Sequence, residues 1–308
     1  MDRRGPTDSI AISGVLNLDK PTGLTSRDVV DKVSRPLRRV KVGHAGTLDP
    51  LASGVLVVCV GAATRLIEYV QRLPKTYRAV VRLGARSDTL DADGQVTAIA
   101  DPPIPDEAAV RAALAAQAGT ILQLPPQYSA LKVAGRRAYD LARAGGTVEL
   151  APRPVAVYRV ELTAYAWPRL EFEVDCGAGT YIRSIARDVG EALGSGGYIE
   201  VLVRTRIGPF TLSDAHDPRT LTAESIPGLL LPPADAVAAL PRLSISREQA
   251  ALVARGQPLD AAGLVVDDLP PGPGPIEVAL IAPDGSVAAI AEADPRAGLI
   301  RPRRVLAG

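Results

Sequence analysis

The sequence predicts a protein that combines helices with a largely antiparallel sheet, in one large domain followed by a small one. Helical and strand patterns alternate along the chain without the strict βαβ order that a parallel sheet requires. Two strand patterns in residues 154–177 meet around Trp167-Pro168, which is typical of an antiparallel hairpin. The length of 308 residues exceeds the usual size of a single core.

The first quarter of the chain alternates strands and helices. GVLNLDKPTG predicts a short strand that ends in a Pro-Gly turn, and SRDVVDKVSRPL predicts a helix with Ser26 as its N-cap. The apolar strand GVLVVCVG then precedes a helix, AATRLIEYVQRL. In KTYRAVVRLG every second residue is apolar, so these side chains share one face of a strand: Tyr77, Ala79, Val81 and Leu83.

The middle of the chain continues this mixture. Residues 105–118 predict an Ala-rich helix, and residues 136–144 predict a second one. After the hairpin, TYIRSIARDVGEALG carries apolar residues at helical spacing and has Gly194 as its stop signal. YIEVLVRTRIGPF predicts one further strand, which completes the large domain.

The C-terminal residues 241–308 predict a separate small domain. Residues 211–240 carry few periodic signals, after which LSISREQAALVARG predicts a helix and VALIAP, VAAIAE and RPRRVL predict short strands. We place the boundary near Leu240, which gives a flexible N-terminus at 1–12, a large domain at 13–240 and a small domain at 241–308.

Composition and charge narrow the class of protein. Hydrophobic residues make up 47% and charged residues 22%, as in ordinary globular proteins. No apolar run is long enough to span a membrane, and the start MDRRGPTDSI lacks the apolar stretch of a signal peptide, so we expect a cytoplasmic protein. The net charge is only +1, but residues 1–90 hold 15 Lys and Arg against 8 Asp and Glu. The basic excess therefore lies in the N-terminal third.

The common catalytic motifs are missing from the sequence. It has no GxxxxGKS loop, HExxH, CxxC or GxSxG, and only two histidines, so we expect no metal and no nucleotide cofactor. The chemistry must then rest on carboxylate, Tyr, Lys or Arg side chains. A loop at 43–54, GHAGTLDPLASG, combines glycines that let a ligand approach the backbone with a histidine and Asp49.

Six segments of the chain, in order, carry a resemblance to a known family: GVLNLDKPTGLTS, VGHAGTLDPLASGVL, KTYRAVVRLGARSDTLDADGQV, PPQYSALKVAGRRAYDLARAG, CGAGTYIRSIARDVGEALG and VRTRIGPFTL. Across about residues 14–212 the chain resembles the bacterial TruB-type tRNA pseudouridine(55) synthases. The resemblance implies the α+β pseudouridine synthase fold, with a bent mixed, largely antiparallel sheet. It also implies isomerisation of uridine 55 in the T loop of tRNA without a cofactor.

The resemblance assigns three catalytic residues. Asp49 matches the family's essential carboxylate, a group able to act as a nucleophile or base beside the sugar and uracil. Arg183 matches the arginine expected to hold that carboxylate ionised by lowering its pKa. Tyr77 matches the family's active-site tyrosine, whose ring suits contact with the target base and whose hydroxyl is expected near the C5 proton that must leave.

The resemblance also assigns residues that bind RNA. His44 matches the residue placed where the flipped nucleotide leaves the loop, and Leu202 matches an apolar residue beside the flipped base. Lys20, Lys132 and Arg204 lie in matched segments and are expected to meet phosphates. Residues 124–145 match an insertion that closes on the T loop, and residues 241–308 resemble a PUA-type RNA-binding barrel, in a protein expected to work as a monomer.

Three other functions fit parts of the sequence. The RNA-guided relatives of archaea and eukaryotes share GTLDP but work within a protein assembly, whereas GHAGTLDPLASGVL and PPQYSALK favour the stand-alone bacterial type. An RNA-binding protein without catalysis would not need Asp49, Tyr77 and Arg183 together. A hydrolase could combine Asp49 with Asp91 or Asp93. Within the favoured function, attack on uracil C6, attack on sugar C1′ and removal of a sugar proton remain open as first steps.

Overall fold

A computed structural model describes residues 12–128, 132–133, 136–137, 150–261, 274–294 and 296–306. The predicted flexible N-terminus lies outside these residues except for its last position. Most of the predicted insertion at 124–145 also lies outside them, and so does the side chain of Lys132. Within the described residues, no helix has both the length and the apolar character needed to cross a bilayer.

The described residues form eighteen strands and six α-helices. The strands are β1 Gly14–Lys20, β2 Val42–His44, β3 Ser53–Val60, β4 Lys75–Leu83, β5 Ala85–Ser87, β6 Val96–Ala98, β7 Gly119–Gln123, β8 Lys132–Val133, β9 Arg136–Arg137, β10 Arg153–Ala166, β11 Arg169–Cys176, β12 Gly197–Ile207, β13 Phe210–Thr211, β14 Arg242–Ser244, β15 Leu259–Asp260, β16 Ile276–Ile281, β17 Val287–Asp294 and β18 Leu299–Val305. The helices are α1 Ser26–Ser34, α2 Ile67–Arg72, α3 Glu107–Ala115, α4 Ile182–Ala192, α5 Ile226–Leu229 and α6 Arg247–Ala254.

A nine-stranded sheet forms the large domain. Its main path runs β1-β3-β12-β4-β11-β10-β7, with β2 paired to β3 and β13 paired to β12. Neighbouring strands are antiparallel except β3 and β12, which pair in parallel through Ser53 with Val203 and Gly54 with Arg204. The prediction of a mixed, largely antiparallel sheet is confirmed, and the β10–β11 hairpin turns at Trp167-Pro168 as expected.

One face of this sheet is buried under α3 and α4. The alternation in β4 places Tyr77, Ala79, Val81 and Leu83 in the main core cluster. The stripe on α4 packs against them through Ile182, Ile185, Ala186 and Val189. On β4, β10 and β11 the opposite face carries charged residues and is open to solvent, whereas β1 and β3 are buried on both faces.

Three local details differ from the sequence prediction. The N-cap of α1 is Thr25, not Ser26, because Thr25 and Asp28 complete a reciprocal capping box. The predicted helix AATRLIEYVQRL begins as a 3₁₀ segment at Gly61–Leu66 and becomes α-helical only at α2. Residues 136 and 137 form a strand with β8, so a helix cannot begin there, and 138–144 lie outside the described residues.

The small domain is built on a second sheet, ordered β14-β16-β17-β18-β15. Its core contains Leu243, Val253 of α6 and Ile300. It packs against the large domain at α2, where Tyr69 Oη donates to Glu277 Oε1 at 2.7 Å and Arg72 Nη1 lies 3.0 Å from Glu277 Oε2. The strands predicted from VALIAP, VAAIAE and RPRRVL are all present.

Candidate active site

A cavity of about 370 Å³ opens near the place where β3 and β12 run in parallel. Its size lies in the range of small-molecule binding sites. Its walls come from the loop before β3, from β4, from the turn between β11 and α4, and from β12. The lining residues are Gly46, Thr47, Leu48, Asp49, Gln71, Lys75, Tyr77, Ala178, Gly179, Thr180, Tyr181, Ile182, Arg183, Leu202 and Arg204.

The loop that carries Asp49 is fixed by the first residues of α1. The buried hydroxyl of Ser26 accepts from Leu48 N at 2.8 Å and donates to Leu48 O at 3.1 Å. On the other side of Asp49, Gly23 N donates to Pro50 O at 2.8 Å. The backbone on both sides of Asp49 is therefore hydrogen-bonded to residues far away in the sequence. These bonds fix the position of Asp49.

Gly54 lets β3 approach β12 closely enough to form one wall. It has a φ of +100°, and a Cβ there would lie 2.2 Å from the Arg204 carbonyl oxygen. Any other residue would push the two strands apart. The glycine in ASGVL is therefore required by a contact with the backbone of β12, whereas the sequence indicated close approach of a ligand.

Arg183 lies between two carboxylates. Its Nη2 is 3.0 Å from Asp49 Oδ2, and its Nη1 is 3.1 Å from Asp91 Oδ2. The same two nitrogens donate to the carbonyls of Tyr128 and Thr89. Only 5% of Arg183 is exposed, although its position on α4 is off the apolar stripe. Four acceptors thus surround the buried guanidinium, while 37% of the Asp49 side chain stays exposed in the cavity.

The pKa of Asp49 differs from the sequence expectation. Burial raises the pKa of the Asp49 carboxyl above its ordinary value, and the nearby charge of Asp91 raises it further. The Arg183 guanidinium acts in the opposite direction but does not outweigh burial. The expected lowering of the pKa was therefore wrong in its net direction.

Asp91 was considered only as the acid partner of a hydrolase. It is 4% exposed, and its Oδ1 accepts from Thr89 Oγ1 at 2.5 Å and from Asp93 N at 3.2 Å. A carboxylate held this way faces Arg183 and not the cavity, so it does not pair with Asp49 for hydrolysis. The sequence signal for its real position was its place in the matched segment SDTLDADG.

Tyr77 and Arg204 form a second contact in the cavity wall. The Arg204 guanidinium carbon lies 5.9 Å from the centre of the Tyr77 ring, and Nη1 is 3.5 Å from the hydroxyl. Burial raises the pKa of the Tyr77 hydroxyl, with Arg204 acting in the opposite direction. The phenol therefore stays protonated at neutral pH, and its ring is the part best suited to contact a base.

Lys20 and Arg204 are not placed to meet phosphates. Lys20 is fully buried, and its ammonium donates to the carbonyls of Leu24 at 2.6 Å and Pro21 at 3.0 Å. Arg204 is 1% exposed and donates to Val55 O at 2.8 Å and Gly46 O at 3.2 Å. Both cations hold carbonyl groups around the Asp49 loop, so the expected phosphate contacts were wrong. Burial also lowers the pKa of Lys20 to about 8.

The remaining predicted RNA contacts divide into three cases. Leu202 is buried on β12 and lines the cavity. His44 is half-buried at the end of β2, two residues before the cavity wall at Gly46, and is not itself a lining residue. The side chain of Lys132 lies outside the described residues.

Two lining groups were missed by sequence reasoning. Lys75 donates to the carbonyls of Gln71 and Leu73, both at 2.6 Å, and burial lowers its pKa to about 8. Tyr181 lies under the guanidinium of Arg153, 5.0 Å from its ring centre. Their only signal was proximity in sequence to Tyr77 and Arg183. Among the described residues, no group of three or more His, Cys, Asp or Glu side chains is placed to hold a metal ion.

Comparison with known proteins gives one family. The family model described as "TruB family pseudouridylate synthase (N terminal domain)" matches residues 34–182. A tRNA pseudouridine synthase B of Thermobifida fusca (strain YX) is 45% identical over 304 residues, which cover 96% of this chain and 99% of that protein. The tRNA pseudouridine synthase B of Cereibacter sphaeroides (strain ATCC 17025 / ATH 2.4.3) is 46% identical over 80% of this chain and 84% of its own.

Solved structures agree with these sequence relatives. The archaeal box H/ACA sRNP Nop10-Cbf5 complex contains a chain with a TM-score of 0.74 and 27% identity, covering 98% of this chain and 89% of that one. A Cbf5-Nop10-Gar1 complex gives a TM-score of 0.74 at 25% identity, covering 99% and 92%. The similarity therefore extends over both domains of the chain.

Proposed function

Since the chain belongs to the TruB family of pseudouridylate synthases and is an isomerase, a tRNA pseudouridine synthase, we propose that its target is uridine 55 in the T loop of tRNA. The observation that carries the proposal is the Asp49–Arg183 pair at 3.0 Å, on the wall of a cavity that Tyr77 and Leu202 also line. The small C-terminal domain, PUA-like in its similarity to the archaeal chains, completes the family architecture.

The reaction needs a carboxylate and no redox partner. The bond between sugar C1′ and uracil N1 breaks, the base turns, C1′ joins C5, and the C5 proton is lost while N1 gains one. Asp49 is the group proposed to act first, because it is the cavity carboxylate with exposed oxygen. Arg183 orients it and stabilises its ionised form through a charge-assisted contact.

The neighbours of Asp49 suggest how the base is held. The neutral phenol of Tyr77 is a weak proton acceptor, so we assign it a packing role against the uracil ring. Leu202 supplies a second apolar contact from β12. A uridine reaches this cavity only after it swings out of its loop, at a cost of a few kcal/mol that such contacts must offset. His44, at the end of β2, is proposed to fill the space the nucleotide leaves.

An assay on an unmodified tRNA transcript tests the proposal. The purified protein alone should convert one uridine, and carbodiimide-resistant adducts should map to position 55 of the T loop. A transcript with cytidine at that position is the matched control and should yield no adduct. Adducts at another position, or none with either transcript, would contradict the proposed target.

The archaeal similarity raises the question of protein partners. Those Cbf5 chains, 25 to 27% identical to this one, are found with Nop10 or with Nop10 and Gar1, whereas the Thermobifida fusca tRNA pseudouridine synthase B is 45% identical over 96% of this chain. We propose that the chain acts alone as a monomer. Turnover by a protein that elutes as a single chain supports this, and turnover only after adding a cell extract or a guide RNA contradicts it.

A further inference from the structure

A basic turn between α1 and β2 has no role in the site described above. From Lys32 to Leu48 the chain holds five Lys or Arg residues and no Asp or Glu, so Asp49 is the first acid after Asp31. Arg35, Arg38, Arg39 and Lys41 are all exposed. Within the described part of the chain, none of the four lies within 4 Å of a carboxylate. Other exposed arginines do have such partners: Arg86 with Glu191, Arg111 with Glu107 and Arg169 with Glu200.

The turn is held in a fixed shape by apolar anchors. Leu37 is 4% exposed in the core cluster beneath α1, and Val40 packs against the same cluster. Val40 N donates to Leu37 O at 3.0 Å, which closes the turn. Arg39 has a φ of +69°, a conformation that side chains other than Gly, Asn and Asp rarely adopt. Arg38 and Arg39 are therefore presented on a rigid support, which lowers the entropy lost when they bind a ligand.

The position of the turn relates it to the cavity. Lys41 is the last residue before β2, and its carbonyl accepts from Gly61 N at 2.8 Å, which joins it to the end of β3. β2 then leads through His44 to Gly46 in the cavity wall. Three strand residues span about 10 Å. That distance corresponds to about three base-pair steps along the axis of a nucleic-acid duplex.

We propose that Arg38, Arg39 and Lys41 form a phosphate-binding site for the stem that carries the target loop. The inference rests on the proposed function. Arg35 is left out because it directly follows α1, where a cation also stabilises the carbonyl end of the helix. Unpaired exposed cations gain from phosphate because they release counterions and break no existing ion pair. The site positions the stem and leaves the chemistry to the cavity.

Salt-dependent binding tests the site. The triple variant Arg38→Gln, Arg39→Asn, Lys41→Gln removes three charges, with Asn chosen because it tolerates positive φ. A second triple variant, Arg86→Gln, Arg111→Gln, Arg169→Gln, changes the net charge equally. Kd for an isolated T-arm hairpin and for a whole tRNA transcript is measured over a range of salt concentrations. We expect the first variant to bind both RNAs about 10-fold or more weakly at ~0.1 M salt, with a salt slope reduced by about 0.7 to 0.9 per lost contact.

Kinetics separate positioning from catalysis. The first variant should raise KM with little change in kcat, because saturating RNA restores the complex. Equal loss of affinity in both triple variants would mean that only net charge matters. An unchanged salt slope in the first variant would mean that the three cations do not contact phosphates. Either result overturns the proposal, and so does a weakened affinity for whole tRNA without one for the T-arm hairpin. The single variants Arg38→Gln and Lys41→Gln keep the test available should the triple variant fold poorly. No turnover by the wild type would count against the proposed function instead.

Discussion

Two clusters of charge, one in the cavity and one on the open face of the sheet, show how the surroundings change the chemistry of identical groups. In the cavity, Arg183 joins Asp49 and Asp91 and is 5% exposed. On the open face of the sheet, Arg159 contacts Glu173 and Asp175 and its side chain is 47% exposed. Each cluster has one arginine between two or more carboxylates. Only in the first is the guanidinium largely shut off from water; the Asp49 side chain, which faces the cavity, is 37% exposed and that of Asp175 is 21% exposed.

The carboxylates of the two clusters shift in opposite directions. For Asp49, burial dominates and raises the pKa despite Arg183. For Asp175, burial also acts to raise the pKa, but hydrogen bonds from Thr76 and Arg159 reverse it and the net shift is downward. An arginine partner alone therefore does not determine whether a carboxylate is easily ionised. The cavity cluster therefore holds a carboxylate whose pKa is raised, which makes it more basic than an ordinary aspartate.

The largest expected effect is the loss of catalysis in Asp49→Asn. The amide keeps the size of the side chain but removes its negative charge and basicity, so turnover of a tRNA transcript should fall by at least about 10⁴-fold. Binding of the transcript, measured by filter retention, should change little. The matched control Asp175→Asn on the open face should keep activity within about twofold. Comparable losses of turnover in Asp49→Asn and Asp175→Asn would mean that the two clusters do not differ in their importance for catalysis.

The next largest effect is on folding. Arg183→Met leaves Asp91 buried without its cation, and breaking a buried pair in this way costs about 3–5 kcal/mol of stability. Arg159→Met on the open face should cost only about 0–1 kcal/mol. Urea denaturation of both variants gives the two values. Adding Asp91→Asn to Arg183→Met should recover part of the lost stability, since the buried carboxylate that has no cation is removed. If no stability is recovered, the loss does not come from the unpaired charge of Asp91.

Local patterns were enough to predict much of the fold. Alternation in β4, the hairpin around Trp167-Pro168 and the apolar stripe of α4 each lie within one short segment, and each is present. The family match and both domains also agree with the resemblance. The start of α1 was wrong by one residue, because Ser and Thr can both act as caps and the reciprocal contact between Thr25 and Asp28 selects Thr25.

The burial of charged side chains could not be predicted in this way. Lys20 and Arg204 were expected to meet phosphates, and both are instead enclosed by carbonyl groups. Arg204 bonds Val55 O across 149 residues of sequence, a contact that no local pattern contains. The contact between Asp91 and Arg183 likewise joins residues that are far apart in the sequence. Asp49, Tyr77 and Arg183 were named from the resemblance, and the structure brings all three to one cavity.

A smaller effect is expected at Ser26, an uncharged residue that holds the loop before Asp49. Ser26→Ala removes the buried hydroxyl that holds the loop before Asp49, and the Leu48 N–H loses its partner. An unsatisfied buried donor costs about 1–3 kcal/mol. Ser34→Ala is the matched control on the same helix, because its half-buried hydroxyl only donates to Val30 O. Thermal unfolding should separate the two, with lower kcat only in Ser26→Ala; equal melting temperatures would mean that the loop is held by other contacts.

The smallest effect is a displacement of the pH profile, and it isolates the contribution of Asp91. Asp49 has a raised pKa, so its ionised form is present above that pKa and activity falls as the pH drops through it. Asp91 is a like charge that contributes to the raised pKa. Asp91→Asn should therefore lower the pKa of Asp49 and move the acid limb of kcat/KM to lower pH. Asp175→Asn, which removes a carboxylate far from Arg183, should leave the limb in place. If the acid limb of Asp91→Asn stays fixed or moves to higher pH, then the charge of Asp91 does not raise the pKa of Asp49.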